Sequence, residues 1–441
     1  MCGATIFAGK TGFPGQSRRF SRSLHLPSFR SFQVTIMNAP AAASIFANVE
    51  LAPKDPILGV TEAFVADKNP NKVNLGVGVY CDDNGKVPLL ECVKKAEAEL
   101  VAKAAPKTYL PIDGIATYDK AVQLLLLGEG SPLLAAGRAV TVQALGGTGG
   151  LKLAGDFLKR FGTSNEVWIS DPSWENHRAL FEYAGFTVNN YPYYDAATHG
   201  VNFAGMKAAL EGMKAGTIVV LHACCHNPTG VDLSAEQWGT VIDIVASRGL
   251  VPILDIAYQG FGDGIDADGE VVRRFAAANI PMLISSSFSK SFSLYGERIG
   301  ALTIVGSSSE EAARILSQLK RVIRTNYSNP PTYGGQAVAM TLTTPELRAL
   351  WEKELGEMRV RIKDMRKALV GKLKERVPAK NFDFVLHQRG MFSYSGLTKE
   401  QVGRLRNEFS IYAIDTGRIC VAALNTKNID YVADSIAKVI A

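Results

Sequence analysis

The sequence predicts an α/β protein: a large domain built on a mostly parallel sheet, with a smaller α+β domain beside it. Three observations carry this. Short apolar runs alternate with amphipathic stretches of helical period from Glu50 onward. The 441 residues exceed the size at which a single core usually stops growing. From about Lys353 the alternation gives way to one long charged helix and then short apolar segments.

Taken in order, residues 139–145, 167–170, 217–222, 250–257 and 282–287 read as strands, and 152–161 and 234–248 as helices. Such alternation builds a parallel sheet with helices on both faces, and ligands then bind beyond the carboxyl ends of the strands. Most of the notable polar residues stand at those ends. The long charged helix is expected over 352–376, with apolar segments at 382–386 and 419–423. No internal repeat or low-complexity linker interrupts the chain.

Composition excludes several classes. An apolar fraction of 47% and a charged fraction of 20% are ordinary for a globular protein, and no uninterrupted apolar run is long enough to cross a bilayer. The net charge of +6 is concentrated at the start, in Lys10, Arg18, Arg19, Arg22 and Arg30. From residue 50 onward the balance is +1, which leaves no electrostatic footprint for nucleic acid. The six cysteines form no C-x-x-C pair, and Cys224 and Cys225 are adjacent, so reduced thiols are expected rather than a disulfide framework or a zinc site.

Residues 1–36 are basic, Ser-rich and free of acidic residues. They fit a mitochondrial or chloroplast transit peptide, implying the mitochondrial matrix or a plastid. They equally fit an upstream extension, with Met37 as the effective start and a cytoplasmic protein.

The sharpest chemical signal is Ser285-Ser286-Ser287-Phe288-Ser289-Lys290, followed by Leu294-Tyr295-Gly296-Glu297-Arg298-Ile299-Gly300. A lysine attacks a carbonyl only when part of it is neutral, which desolvation or a nearby cation achieves. Arg298 is a candidate neighbour, and with Ser287 it suits a phosphate. Alone, a lysine after a strand is a solvated loop residue. Context changes that reading. Asp255 closes a strongly apolar strand, where a carboxylate needs a partner. A protonated pyridine nitrogen is one such partner, and it makes the ring an electron sink. A helix cap or a core ion pair is the plainer alternative. Tyr258 follows three residues later, with a hydroxyl that can meet a ring oxygen.

Gly146-Gly147-Thr148-Gly149-Gly150 opens a helix after a strand, and glycines let backbone N–H groups close on a phosphate. The spacing is neither that of a dinucleotide site nor that of a P-loop. His222 and His226 stand four apart in His222-Ala223-Cys224-Cys225-His226-Asn227-Pro228-Thr229-Gly230, but no Glu occupies the place a zinc protease requires, and no metal is expected. Asn227 is better read as a donor to a bound ring.

With these motifs together, the chain resembles class I aminotransferases of the aspartate aminotransferase family, fold-type I enzymes dependent on pyridoxal 5′-phosphate. The resemblance runs from about Leu51 to the C-terminus. It implies an N-terminal part of the small domain over 50–87, a large cofactor-binding domain over 88–357 and the rest of the small domain over 358–441. It implies that Lys290 forms the covalent link to the cofactor, with Asp255 on the pyridine nitrogen. Tyr258 and Asn227 would hold the ring oxygen, Trp174 would stack on the ring, and His177 would support Asp255. Gly147, Thr148, Ser287 and Arg298 would bind the phosphate, joined by Tyr109 from a partner subunit. Gly78 would lie against the substrate. Arg418 would clamp the α-carboxylate, and the partner's Arg324 the side-chain carboxylate. Arginine suits both tasks because its fork binds carboxylate bidentately.

One departure stands out. Gly146 replaces the Ser that many members carry in the phosphate loop, so one phosphate hydrogen bond fewer is expected. The Gly-Gly-Thr-Gly loop and the segment from Arg324 to Ser328 look closer to bacterial aromatic-amino-acid aminotransferases. The implied reaction is therefore transamination of aspartate with 2-oxoglutarate in a homodimer, with an aromatic amino-acid aminotransferase of dual specificity as the alternative. A same-fold lyase or decarboxylase is disfavoured by the pair Arg324 and Arg418. A non-catalytic binding protein is disfavoured by the intact set Lys290, Asp255, Tyr258 and Arg418.

Overall fold

Seven strands form the central sheet of this computed structural model, which describes residues 44–52, 55 and 57–441. In spatial order they are Ala139–Leu145, Ile299–Val305, Met282–Ser287, Val251–Ile256, Ile218–His222, Glu166–Asp171 and Thr187–Pro192. Six run parallel, and Ile299–Val305 runs against both its neighbours. Burial on both faces explains their apolar sequences. Val219, Leu221, Leu254, Ile256 and Ile284 pack into one core cluster, and Ile218, Val220, Ile253 and Leu283 into the other. That alternation is the period-two geometry of a strand, with helices covering each face.

The register aligns the polar ends. His222 lies beside Asp255, Asp255 beside Ser285, and Ser287 beside Gly300. One edge of the sheet therefore gathers the functional residues of four strands, as expected for parallel sheets.

Strands expected from the sequence recur within a residue or two, and Ala139–Leu145 and Met282–Ser287 recur without change. The helices differ more. The one expected over 152–161 spans Gly146–Phe161, because the glycine run forms its first turn. The long one expected over 352–376 begins at Pro345, whose fixed φ suits a first helical position. The helix Ala235–Arg248 is closed by a reciprocal Ser234–Gln237 capping box and by Gly249 at φ 62°. Residues 382–386 yield a short helix, Phe384–His387, and 419–423 divide into the strand Arg418–Cys420 and a 3₁₀ turn, Val421–Ala423.

Lys54–Ala441 is one compact unit, and Met1–Pro53 is another. Of the latter, residues 44–52 contain a turn over residues 45–48. The expectation of a targeting segment or extension over residues 1–36 lies outside the described residues. Within the larger unit, Val73–Asn74 pairs in parallel with Ile411–Tyr412, so chain from near the start joins chain from near the end. Cys81, Cys92, Cys224, Cys225 and Cys420 are free thiols. Among the described residues no helix is long and apolar enough to cross a membrane.

Candidate active site

A cavity of about 230 Å³ opens at the carboxyl edge of the sheet. It is lined by Gly78, Gly147, Thr148, Trp174, Asn227, Asp255, Tyr258, Ser287, Lys290, Arg298 and Arg418, all residues expected from the sequence. His222, Tyr295 and Phe392 also line it, and none of the three was expected there. Tyr295 stands inside the motif that ends in Arg298, and its hydroxyl accepts the Tyr80 N–H at 2.9 Å. His222 ends a strand beside Asp255, which the strand pattern could have revealed. Phe392 had no local signal.

The floor is a buried hydrogen-bonded chain. Asp255, 6% exposed, sits at the end of its apolar strand, and its Oδ2 lies 2.9 Å from His177 Nε2. His177 Nδ1 lies 2.9 Å from Ser173 Oγ, so both ring nitrogens are engaged. Burial pushes the Asp255 carboxyl up, but the hydrogen bond and charge of His177, together with the Lys290 charge, more than offset it. Asp255 consequently lies below the ordinary carboxylate range and stays ionised. His222 packs against the His177 ring at 5.0 Å, has no hydrogen-bond partner at either ring nitrogen, and is pushed down to about 3 by burial, so it is neutral. His226 lies outside the cavity lining, between Ser170 and Thr229 and stacked on Tyr193.

Lys290 holds its Nζ 4.7 Å from the centre of the Tyr258 ring. Burial lowers its amine to about 8; the Asp255 charge opposes that shift and Arg298 adds to it. A fraction of the amine is then neutral near pH 7, the condition for nucleophilic attack. Tyr258 is driven well up, chiefly by burial, and keeps its proton. From Arg418, a line of donors runs inward: Nη1 donates to Asn227 Oδ1 at 3.1 Å, and Asn227 Nδ2 donates to the Tyr258 hydroxyl at 3.4 Å. Arg418 Nη2 donates to the Gly76 carbonyl at 2.7 Å.

The opposite wall suits an anion. Gly147 and Thr148 lie in the first turn of the sixteen-residue helix Gly146–Phe161, where backbone N–H groups are free and the helix dipole is positive. A Cβ on Gly147 would stand 3.3 Å from that of Ser287, so glycine leaves space there. Gly146 has φ 69°, and a Cβ on it would meet Arg298 Nη2 at 2.5 Å. In this chain a Ser at that position would be strained and would press on Arg298. Gly300 sits where the two walls touch: a Cβ there would stand 2.6 Å from both the Gly146 and Ser286 carbonyl oxygens.

Two expected residues lie elsewhere. Tyr109 is 92% exposed and Arg324 is also exposed, and together they line a separate open cleft with Tyr327, Ser328 and Asn329. Arg324 stands in the last turn of the helix Ser309–Asn326 and donates to Ser328 Oγ.

A doubly covered, mostly parallel sheet with this cavity at its carboxyl edge is the architecture of fold-type I transferases. The chain belongs to the family described as Aminotransferase class I and II, whose profile matches residues 70–436, and it is an aminotransferase. It is 61% identical over 397 residues to an aspartate aminotransferase of Pseudomonas aeruginosa, covering 90% of this chain and all of that protein. To an aromatic-amino-acid aminotransferase of Escherichia coli it is 49% identical, again over 90% of this chain and all of the other. The crystal structure of an aromatic-amino-acid aminotransferase from Burkholderia pseudomallei, covalently bound to pyridoxal phosphate, superposes with a TM-score of 0.88 at 65% identity. That match covers 90% of this chain and all of that one.

Proposed function

We propose that this enzyme transfers the amino group between aspartate or glutamate and 2-oxo acids, converting L-aspartate and 2-oxoglutarate to oxaloacetate and L-glutamate. The observation that carries it is one cavity holding a buried, partly neutral Lys290, an ionised Asp255 and a buried Arg418.

The donor set fits pyridoxal 5′-phosphate, which is the cofactor. Gly147, Thr148, Ser287 and Arg298 would hold the phosphate at the helix start. Asp255 would pair with the pyridine nitrogen, Asn227 and Tyr258 would hold the ring oxygen, and Trp174 would stack on the ring. When bound, the cofactor withdraws electrons from the substrate's Cα. Lys290 would hold the cofactor covalently between turnovers. Once displaced, its amine takes the Cα proton as a base and returns it as an acid; an amine lowered to about 8 can do both near neutral pH. Asp255, held ionised by His177, keeps a positive charge on the nitrogen beside it. Arg418, fixed by Asn227 and Gly76, orients the α-carboxylate, and Gly78 borders the substrate.

Tyr109 and Arg324 act on the site of a second subunit in a homodimer, a reading supported by their exposure in a cleft apart from Lys290. The unit divides into a large domain over 88–357 and a small one from 50–87 and 358–441, which the pairing of Val73–Asn74 with Ile411–Tyr412 supports. The enzyme is cytoplasmic where Met37 is the effective start, and in the mitochondrial matrix or a plastid where residues 1–36 act as a transit peptide.

A second reading is dual specificity that includes phenylalanine and tyrosine. It is favoured by the 65% identity to a protein called an aromatic-amino-acid aminotransferase. A donor panel with 2-oxoglutarate as acceptor tests both. Aspartate should give the highest kcat/KM; an aspartate value below the aromatic ones would overturn the first reading.

A further inference from the structure

Arg418 is 1% exposed, and its neutral contacts are good: Asn227 Oδ1 at 3.1 Å, the Gly76 carbonyl at 2.7 Å and the Phe392 ring at 4.4 Å. Its Nε is buried without a partner. The carboxylate facing it is that of Glu175, whose Oε2 lies 3.9 Å from Arg418 Nη1. That is about 1 Å beyond a charge-assisted hydrogen bond. Glu175 Oε2 is itself buried without a partner. Two opposite charges thus face each other across a gap, each with an unsatisfied atom, which is costly unless something else completes them.

Glu175 opens the helix Glu175–Tyr183, directly after Trp174. Its place at the helix start keeps the Glu175 carboxylate within reach of Arg418, on a side chain that is 28% exposed. A ligand carboxylate on Arg418 would then stand within a few ångströms of a second negative charge.

We propose that Glu175 competes for Arg418 and weakens the hold on every ligand carboxylate placed there. This rests on Arg418 being the α-carboxylate clamp. Glu175 balances the buried guanidinium before substrate binds and repels the carboxylate that replaces it. The consequence is a positioning residue that loosens substrate and product alike, favouring release over tight ground-state binding.

The test uses the holoenzyme and two ligands that lack a Cα proton and so cannot turn over: 2-methyl-L-aspartate and its uncharged α-amide. Calorimetry gives the ratio of their affinities. Like charges about 6 Å apart in a partly screened site differ by roughly tenfold in binding. In Glu175→Gln the preference for the carboxylate over the amide should therefore rise about tenfold. Glu175→Ala should move it the same way, and Glu175→Asp should return it to the parental value. An unchanged or reduced preference in both neutral variants overturns the proposal, and shows Glu175 to be a structural acid in a first helical turn. Arg418→Lys separates the two readings. If it leaves the parental preference intact, Arg418 is not the clamp. If it collapses the preference while Glu175→Gln does nothing, the role of Glu175 alone fails.

Discussion

Asp255 and Arg324 are both charged residues expected at one active site, yet the fold treats them in opposite ways. Asp255 is 6% exposed, gripped by His177 and beside a neutral His222. Arg324 is exposed at the end of a helix, in a cleft it shares with a Tyr109 that is 92% exposed. The floor of the Lys290 cavity is completed by one chain folding on itself. The Tyr109–Arg324 cleft has the composition of a binding surface without the burial that makes arginine selective. A single chain therefore builds the floor of the cavity, and the role proposed for the exposed cleft is recognition across a dimer.

Changes in the floor should be the more damaging. Lys290→Ala should lower turnover by at least about 10⁴-fold, since it removes both the covalent anchor and the proton carrier. Cofactor should stay bound through the phosphate and ring contacts. Near-normal transamination in this variant would remove Lys290 from the mechanism. Asp255→Ala should cost about a thousandfold in kcat, or about 4 kcal/mol of barrier. A loss under about tenfold would make the carboxylate structural and erase the contrast.

In the cleft, effects should depend on substrate. Arg324→Leu should lower the ratio of kcat/KM for aspartate to that for phenylalanine by about a hundredfold, because only the dicarboxylate leaves a charge unpaired. A parallel fall for both would mean that Arg324 is not the side-chain clamp. Mixed Lys290→Ala and Arg324→Ala subunits should recover about a quarter of parental activity, the share of intact sites that random reassortment of a two-fold dimer gives. No recovery, or a fully active monomer in sedimentation, would place both regions in one chain.

The smallest effect concerns stability. Below pH 8 the Lys290 amine is protonated in folded and unfolded chains, and the folded state carries the cost of burying it. From about pH 8 to 10.5 the folded protein releases that proton while the unfolded chain keeps it, so the cost fades as pH rises. Lys290→Met should thus stabilise the cofactor-free protein by at most about 3 kcal/mol at pH 7, with the gain gone near pH 10.5. A gain independent of pH would point to packing alone.

The same contrast shows what sequence reasoning can reach. The places of Asp255 and Lys290 were legible because one closes and the other follows an apolar run read as a strand, and strand ends in parallel sheets are where ligands sit. The glycine run reads as opening a helix, but the helical range expected from the sequence starts only at residue 152, because glycine is a poor helix former. The strand Ile299–Val305 begins in the last two residues of a motif read for its chemistry and is not among the strands expected from the sequence, and its antiparallel direction is a tertiary fact. Phe392 and Glu175 reach the site by packing between segments more than 200 residues apart, which no local pattern encodes.

Gly300 carries one further consequence. With no side chain it lets the Gly146 turn and the strand leading to Lys290 close to contact distance. The spacing between phosphate seat and reactive amine is thus set by the width of bare backbone, a gauge that side-chain repacking elsewhere cannot reset. In a variant library aimed at new substrates, Gly300 is the position where diversity would be wasted. Gly78, whose added Cβ would meet only the far edge of the Phe392 ring at 2.6 Å, marks the wall that a library can move.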